Sequence, residues 1–307
     1  MKIYSINHLD ELILINSCYV SIGFFDGVHL GHQKLIKKMV HDAKKSKNLS
    51  VIFTFSEKLT TQFKQSYELS SEKIKLFAFE KLGIDIVFII QPQSPILSLT
   101  GSDFIHQVLK KINTQKVYCG RDFRFGSDLK DISMLKKELP IKEIPDITKK
   151  HQKISSSYLK QLVKEGKITL ANQYMYYPYT LFATIIKGKQ LGRKLNTKTA
   201  NLKISDQNIH LKNGVYFGNV IYLRKVYKAM INVGINPTTD YDNKQKIEVH
   251  ILNFDFDIYD QELQVIFKTF HREEQKFNST QELQLQLQYD KKMLDKKISN
   301  KLKRKCC

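Results

Sequence analysis

Two histidines, His29 and His32, lie three residues apart directly after a glycine-containing turn. If a helix already includes both residues, their rings share one face and could both donate hydrogen bonds to phosphate oxygens. Backbone N–H groups at a helix start and the helix dipole also attract anions. Because glycine lets a ligand approach the main chain closely, we expect further phosphate contacts at Gly23, Phe24 and Gly31.

The elements around these histidines are predicted to be a strand, a turn and a helix. Residues 18–25 form an apolar run typical of a buried strand, Asp26 and Gly27 break it, and residues 31–45 have helical apolar spacing. This order is typical of a nucleotide-phosphate site. The alternatives are ordinary surface histidines or a metal half-site. A zinc site is disfavoured because no cysteine follows at a suitable spacing and Asp26 is the only close carboxylate.

A second candidate motif is the sequence Gly-Arg-Asp-Phe-Arg-Phe-Gly at residues 120–126, which follows a predicted strand. Its arginines and aromatic rings could hold a planar ring beside a phosphate group. The alternative is a loop whose aromatic side chains only fill the core.

A third candidate motif is residues 154–160. It places the hydroxyl groups of Ser155, Ser156 and Ser157 at the start of a predicted helix, with Lys160 near enough to reach an anion. Taken alone, serines at this position are also typical of a simple helix N-cap.

The order of elements predicts an α/β domain over residues 1–178. Strand-like and helical runs alternate there, which indicates a parallel sheet covered by helices, with ligands at the carboxyl ends of its strands. Besides the opening strand and helix, the predicted strands are 51–55, 84–90 and 116–119, and the predicted helices are 73–82 and 104–112.

Residues 179–300 have a different texture, with short strands separated by Gly, Asn, Asp and Pro turns. This pattern predicts a small β-barrel. A closing helix is predicted after the capping box Ser279-Thr280-Gln281-Glu282, and residues 301–307 form a basic tail. The predicted strands are 180–186, 214–223, 228–233, 246–254 and 262–267.

Composition narrows the classes of protein. The chain has 307 residues, 42% of them hydrophobic, which suits two domains. No apolar stretch reaches the roughly 18 residues of a membrane span, and the N-terminus lacks a signal peptide's apolar core, so we expect a cytoplasmic protein that does not bind membranes. The net charge of +20 suggests nucleic-acid binding, but only six of the 50 basic residues are arginine and the lysines are scattered. That pattern favours solvated faces and no nucleic-acid partner.

Together and in this order, the three motifs resemble those of the bacterial bifunctional riboflavin kinase and FMN adenylyltransferase (FAD synthetase) family. Residues 25–32, Phe-Asp-Gly-Val-His-Leu-Gly-His, match its phosphate motif, and residues 120–126 match its G-x-D-F-R-F-G. Residues 154–160 match I-S-S-T-x-I-R, with Ser157, Leu159 and Lys160 at the differing positions. The resemblance covers nearly the whole chain.

The resemblance implies two reactions that use ATP: phosphorylation of riboflavin to FMN, and adenylylation of FMN to FAD with release of pyrophosphate. For adenylyl transfer it implies that His29 and His32 are catalytic, with Mg²⁺ as cofactor. Residues 54–59, Thr-Phe-Ser-Glu-Lys-Leu, lack the proline and histidine of the family's T-F-E/D-P-H-P. The implied ATP-phosphate ligands are Ser155, Ser156, Ser157 and Lys160, and the implied flavin ligands are Asp122, Phe123, Arg124 and Phe125.

For the kinase reaction the resemblance lies in the second half. Thr199 and Asn201 stand at the family's P-T-A-N and are implied to bind Mg²⁺ with ATP. Residues 247–254 match V-E-V-H-L-L-D-F, which makes Glu248 the general base; by position alone it is an exposed residue of an alternating strand. Arg272 is implied to close over the flavin. The implied ATP-binding residues of the glycine-containing loop are Gly188, Gly192 and Arg193.

Departures in that loop leave an alternative open. Lys189, Gln190 and Leu191 replace most of a glycine-rich turn, and residues 196–198 replace the family's G-F-P. The alternative is a monofunctional FMN adenylyltransferase whose second domain is a weakened or non-catalytic flavin-binding domain. A nucleic-acid-binding protein and a different nucleotidyltransferase are further rivals, disfavoured by the matched motifs and by the barrel-like second half. We expect a monomer or weak oligomer that binds ATP, riboflavin and FMN.

Overall fold

The computed structural model describes residues 1–13, 16–59, 67–186, 199–204, 211–235, 245–254 and 259–298. The chain divides into two compact units. The first comprises Met1–Tyr158 and Tyr174–Tyr177, and the second comprises Leu159–Gln173 and Pro178–Cys307. The domain boundaries predicted near residues 178 and 300 stay predictions.

The first unit is built on a six-stranded parallel sheet with the strand order β1-β4-β3-β2-β5-β6. Because β2 lies between β3 and β5, the segments that follow β2 and β5 leave the sheet at the same edge. The strands are β1 (Lys2–Ile6), β2 (Cys18–Ile22), β3 (Leu49–Phe55), β4 (Ile86–Ile90), β5 (Thr114–Gly120) and β6 (Ile141–Ile144).

Both faces of this sheet are buried. Val20 and Phe53 pack into the hydrophobic core on one face, whereas their strand neighbours Tyr19 and Ile52 pack into the core on the other. Strands buried on both faces have continuous apolar runs instead of an alternating pattern. This explains why the strand predictions in the first half rested on apolar runs.

In the part of the chain that the structure describes, four helices connect successive strands of the sheet and cover it, and two more helices follow its last strand. The predicted helix at 104–112 is split: α3 continues directly into a π-helix over Ile105–Lys110. The apolar residues Ile105, Val108 and Leu109 of this π-helix are buried, so the wider helix still directs the apolar residues of the predicted pattern into the core. The helices are α1 (Leu30–Lys45), α2 (Glu72–Leu82), α3 (Gly101–Phe104), α4 (Ile132–Glu138), α5 (Ser156–Lys164) and α6 (Ile168–Tyr174).

The second unit contains a closed six-stranded antiparallel barrel with the order β7-β8-β11-β10-β9-β12. Five of its strands coincide with the predicted ones to within a few residues. The strand at Thr199–Ile204 had been noted only as a motif. The strands are β7 (Thr180–Ile186), β8 (Thr199–Ile204), β9 (Gly214–Tyr222), β10 (Lys225–Ile235), β11 (Gln245–Ile251) and β12 (Glu262–Arg272).

A terminal helix, α7 (Thr280–Ile298), packs against the barrel. It starts as the capping box predicts, because Ser279 Oγ accepts a hydrogen bond from the Glu282 backbone N–H at 3.1 Å. Leu294 of this helix is buried with Phe217, Met230 and Leu252. The predicted fold class, a parallel α/β sheet followed by a small β-barrel with a closing helix, is confirmed.

Two candidate active sites

The turn that follows β2 has an unusual backbone. Phe25, Gly27 and Val28 all have positive φ angles, of 51°, 74° and 37°. The predicted strand at 18–25 is shorter than expected and ends at Ile22, and the left-handed conformation of Phe25 turns the chain away from the sheet. A β-branched residue such as Val28 adopts this conformation only where its surroundings impose it, and such positions cluster at functional sites.

Asp26 supplies much of that imposed geometry. Its buried carboxylate accepts hydrogen bonds from the backbone N–H groups of Leu69, at 2.7 Å, and Ser70, at 3.3 Å. The Gly27 N–H donates in turn to Ser70 Oγ at 2.9 Å. A Cβ at position 27 would lie 3.1 Å from Leu69 Cδ1, so the turn and the 69–70 segment fit together only with glycine there.

His29 caps helix α1 instead of lying within it. Its Nδ1 accepts hydrogen bonds from the N–H groups of Gly31, at 3.2 Å, and His32, at 3.4 Å, as a serine or aspartate does at an N-cap. A neutral ring that accepts at Nδ1 carries its proton on Nε2. The ring of His32 stacks on that of His29 with centroids 3.7 Å apart. The two rings are adjacent, as expected. The reason is that His29 is the N-cap residue of α1, and not that both residues lie within the helix.

The glycines beside these histidines have specific roles. A Cβ at Gly31 would lie 3.0 Å from His29 Cε1, so glycine makes room for the capping ring. Gly23 extends the sheet by donating its N–H to the Phe53 carbonyl at 3.0 Å. Phe24, half-buried, stacks on Phe55 with ring centroids 4.4 Å apart.

The serine motif meets this turn. Ser156 Oγ donates to the Asp26 carbonyl oxygen at 3.0 Å, and Ser155 Oγ accepts from the Tyr158 N–H at 3.3 Å, which caps α5. Ser157 is exposed, and Lys160 is half-buried on the same helix. The structure thus brings the histidine motif and the serine motif together.

The aromatic motif at 120–126 begins at the end of β5, which pairs with β2. Phe125 is buried in the core, as the alternative of a core-filling loop predicted. Phe123 is half-buried and stacks on Phe125, with ring centroids 5.8 Å apart and an angle of 4° between the ring planes. Asp122 and Arg124 are exposed. A hydrogen bond from Lys153 Nζ at 2.5 Å lowers the pKa of the Asp122 carboxyl.

The second candidate site is a row of polar residues across three barrel strands. Asn201 of β8 pairs with Glu248 of β11, and Glu248 pairs with Asn232 of β10. Directly paired residues of antiparallel strands share one face of the sheet. Ile247 and Val249, on either side of Glu248, point to the other face and are buried in the barrel.

The charges and oxygen atoms of this row suit ligand binding. Glu248 is half-buried, and its Oε1 accepts a hydrogen bond from Lys246 Nζ at 2.5 Å. Asn201 is buried, and within the described part of the chain its Oδ1 has no hydrogen-bond partner. A buried amide oxygen without a partner is costly unless a ligand or cation satisfies it. The backbone of Thr199, two residues earlier in β8, pairs with His250.

Glu274 joins this row from the segment after β12, although the motif analysis gave it no role. Asn232 Nδ2 donates to Glu274 Oε1 at 3.4 Å, and a Cβ at Gly234 would lie 2.4 Å from the same oxygen. The glycine at 234 therefore admits the Glu274 carboxylate beside the row. No sequence signal distinguished Glu274 from its charged neighbours.

Arg272 is held by an acid that sequence reasoning missed. Its Nη2 donates to Asp290 Oδ2 at 2.8 Å, and its Nε lies 3.1 Å from the same oxygen. One signal could have indicated Asp290: it follows Gln286 by four residues, so both lie on one face of the predicted helix. The predicted ATP-binding residues Gly188, Gly192 and Arg193 lie outside the described residues.

Comparisons with known proteins agree along the chain. A family model described as FAD synthetase matches residues 14–158, and one described as riboflavin kinase matches residues 175–298. The bifunctional riboflavin kinase/FMN adenylyltransferase of Buchnera aphidicola subsp. Schizaphis graminum is 32% identical over 305 residues, which cover 95% of this chain and 97% of the relative. The protein of the same name from Listeria monocytogenes is 31% identical, over 94% of this chain and 96% of the relative.

A solved structure shares the fold. A crystal structure named as a macrolide-efflux protein from Streptococcus pneumoniae has a TM-score of 0.85 at 26% sequence identity, and the match covers 96% of this chain and 99% of that one. Within the described residues, no helix of our chain has both the length and the apolar character that a membrane crossing needs.

Proposed function

This chain belongs to the family of bifunctional riboflavin kinase/FMN adenylyltransferases, and we propose that the turn after β2 is its adenylyl-transfer site and the Asn201–Glu248 row its kinase site. The protein phosphorylates riboflavin to FMN with ATP, and it transfers an adenylyl group from ATP to FMN. The riboflavin kinase match over residues 175–298 favours this reading over a monofunctional adenylyltransferase.

In adenylyl transfer, an oxygen of the FMN phosphate attacks the α-phosphorus of ATP, a new P–O bond forms, and pyrophosphate leaves with the electron pair of the broken bond. The reaction needs two anions brought together and the charge on the α-phosphate stabilised, which is positioning and electrostatics. His29, with its proton on Nε2, and His32 provide donors for that charge, the positive end of the α1 dipole adds to them, and Gly23, Phe24 and Gly31 line the approach.

The remaining ligands of the first site come from the other two motifs. Ser155, Ser156, Ser157 and Lys160 hold the triphosphate of ATP; the hydrogen bond from Ser156 to the Asp26 carbonyl supports the placement of this motif beside the histidine turn. Phe123 offers its ring to the flavin, with Phe125 behind it as a rigid support. Asp122 and Arg124 provide polar contacts at the rim.

In the kinase reaction, Glu248 takes the proton of the ribityl 5′-hydroxyl as that oxygen attacks the γ-phosphorus of ATP, and ADP leaves. Thr199 and Asn201 hold Mg²⁺, a cation that prefers oxygen ligands. Bound there, Mg²⁺ would neutralise charge on the ATP phosphates. Arg272 contacts the flavin, while Gly188, Gly192 and Arg193 bind the ATP phosphates. We place both reactions in the cytoplasm, in a monomer or weak oligomer.

The observation that carries the kinase assignment is the pairing of Asn201 with Glu248, which joins a buried amide oxygen that has no partner among the described residues to a carboxylate on the same face. Incubating the purified protein with riboflavin, ATP and Mg²⁺ is expected to give FMN and then FAD. Glu248→Gln should abolish FMN formation but still convert added FMN to FAD. His32→Ala should still form FMN from riboflavin but should not convert FMN to FAD. If either variant lost both activities while still folded, the division into two sites would be refuted.

A further inference from the structure

We propose that Asp290, on the terminal helix α7, is a positioning residue for the kinase reaction: it fixes the guanidinium group of Arg272 in the row of paired residues that contains Glu248. This inference rests on the proposed roles of Arg272 and Glu248. It assigns a part in the reaction to a helix that otherwise only packs against the barrel.

The first argument is the geometry of the pair. Asp290 accepts from Arg272 through both carboxylate oxygens: Nη2 lies 2.8 Å from Oδ2, and Nε lies 3.1 Å from Oδ2 and 3.3 Å from Oδ1. The side chain of Asp290 is 1% exposed and that of Arg272 is 17% exposed. A two-donor contact of this kind fixes the plane of the guanidinium group as well as its position.

The second argument is that the carboxylate is itself held in place. Asp290 Oδ1 also accepts from Gln286 Nε2 at 2.8 Å and bonds His271 Nε2 at 2.9 Å. His271 stacks on Phe217, with ring centroids 4.1 Å apart. Burial acts to raise the pKa of Asp290, but hydrogen bonds from Arg272, Gln286 and His271 outweigh it, so the pKa is lowered and the carboxylate stays ionised at neutral pH.

The third argument is where this anchor places Arg272. The backbone of Arg272 pairs with Val215, Val215 pairs with Asn232, and Asn232 pairs with Glu248. The proposed base and the anchored arginine therefore lie in one row of paired residues, separated by two strands. Glu274, two residues after Arg272, reaches Asn232 in the same row.

The fourth argument is what the anchor leaves available. A guanidinium group has five N–H donors. Among the described residues, Nε and Nη2 each donate one to Asp290, and Nη1 donates one to the Glu273 carbonyl at 3.0 Å. Two donors remain for an oxygen of the bound flavin. Compared with apolar packing, a buried ion pair adds little to the stability of a fold. A role in orienting Arg272 would account for this pair better than a role in stability.

The test compares Asp290→Asn with the parent enzyme by steady-state kinetics of both reactions. Asp290→Asn keeps the side chain's shape but removes its charge, and we expect the KM for riboflavin to rise about tenfold, with a smaller change in kcat and unaltered FAD formation from FMN. The matched control is Lys291→Gln, which changes the charge at the next, exposed position of α7 and should leave both reactions unchanged.

A double-mutant cycle with Arg272→Gln separates the possible outcomes. If Asp290 acts through Arg272, Asp290→Asn raises KM no further in the Arg272→Gln background. An equal rise in that background would overturn the inference, because Asp290 would then act independently. If Arg272→Gln itself leaves the kinase unchanged, the proposed role of Arg272 fails instead. Should Asp290→Asn not fold, Asp290→Glu keeps the charge and displaces the carboxylate; a normal KM in that folded variant would also overturn the inference.

Discussion

Ser156 Oγ donates a hydrogen bond to the backbone carbonyl oxygen of Asp26, across a sequence separation of 130 residues. The bond ties the start of α5 to the turn that precedes α1. Since the Asp26 carboxylate is bound to Leu69 and Ser70 at the same time, this turn is fixed by two segments that are remote in sequence. A turn held in this way keeps the histidine at its end in one position, which is what charge stabilisation requires.

Replacing Ser156 by alanine is expected to lower kcat/KM for FAD formation about fivefold, because one hydrogen bond of about 1 kcal/mol is lost at the site. Riboflavin phosphorylation in the same sample should not change, so it serves as an internal measure of folded enzyme. Ser102→Ala, an exposed serine in the first turn of another helix, is the matched control and should alter neither rate. Equal losses in both reactions would contradict the prediction.

His29→Asn is expected to separate the two roles of His29. Asparagine is a good N-cap residue, so the helix should lose less than about 0.5 kcal/mol of stability, while the lost ring donor should reduce FAD formation by about 100-fold or more. His29→Ala should be less stable by a further 1 kcal/mol or so, because it also loses the cap. Thermal unfolding and FAD assays measure the two effects.

The control for these variants is His41→Asn on the exposed side of α1, which should leave stability and both reactions unchanged. Should His29→Asn retain normal FAD formation, His29 would be a structural cap only, and the adenylyl-transfer assignment would rest on His32 alone.

Patterns that are local in sequence predicted most of the fold and identified the motifs around which the candidate sites are proposed. The glycine turn and the serines at the start of α5 lie where their spacing indicated, whereas the strand predicted at 18–25 is shorter and ends at Ile22. The motifs do not show which polar groups already form hydrogen bonds within the protein. The Asp26 carboxylate is held by residues that lie 43 and 44 positions further along the chain. Arg272 is held by Asp290, on a helix that packs against the barrel.

The same limit applies to the aromatic motif and to the split helix. Phe123 and Phe125 have the same residue type at alternate positions, and the tertiary packing, in which Phe125 joins a core cluster that includes Phe104, makes Phe125 the buried one. Similarly, the spacing of apolar residues at 104–112 fits both an α-helix and the π-helix that forms.

Removing the amide oxygen of Asn201 should weaken Mg²⁺ binding at the kinase site. For Asn201→Ala we expect the Mg²⁺ concentration that gives half-maximal FMN formation to rise about tenfold, since one of few protein ligands is lost. Conversion of FMN to FAD at saturating Mg²⁺ should be unchanged, and a chelator should stop FMN formation in both proteins. An unaltered Mg²⁺ requirement would remove Asn201 from the ligand set.

The lowered pKa of Asp290 predicts a specific pH dependence of stability. Because the folded-state pKa is below the unfolded value of about 3.9, the ionised carboxylate stabilises the fold fully above that value, and the contribution is lost as pH falls through the folded pKa. The difference in melting temperature between the parent protein and Asp290→Asn should therefore be constant from pH 7 to about 5 and shrink below about 4. A difference that persists undiminished in acid would contradict this account.

The buried pair Lys75 and Glu68 should behave as a coupled unit. Lys75 Nζ lies 3.4 Å from Glu68 Oε1, both side chains are buried, and Glu68 directly precedes Leu69 and Ser70, which hold Asp26. Lys75→Met removes the counter-charge that lies closest to the Glu68 carboxylate in the described residues, so we expect the free energy of unfolding to fall by up to about 3–5 kcal/mol.

Combining Lys75→Met with Glu68→Gln should recover most of that loss, because an uncharged pair of similar volume does not carry the desolvation penalty of a buried charge. Lys81→Met, at an exposed position of the same helix, is the control and should change stability by less than about 0.5 kcal/mol. The measurement is denaturant unfolding followed by loss of FAD formation, with FMN formation recorded in parallel to monitor the barrel. Additive losses in the double variant would show that Lys75 and Glu68 stabilise the first unit independently.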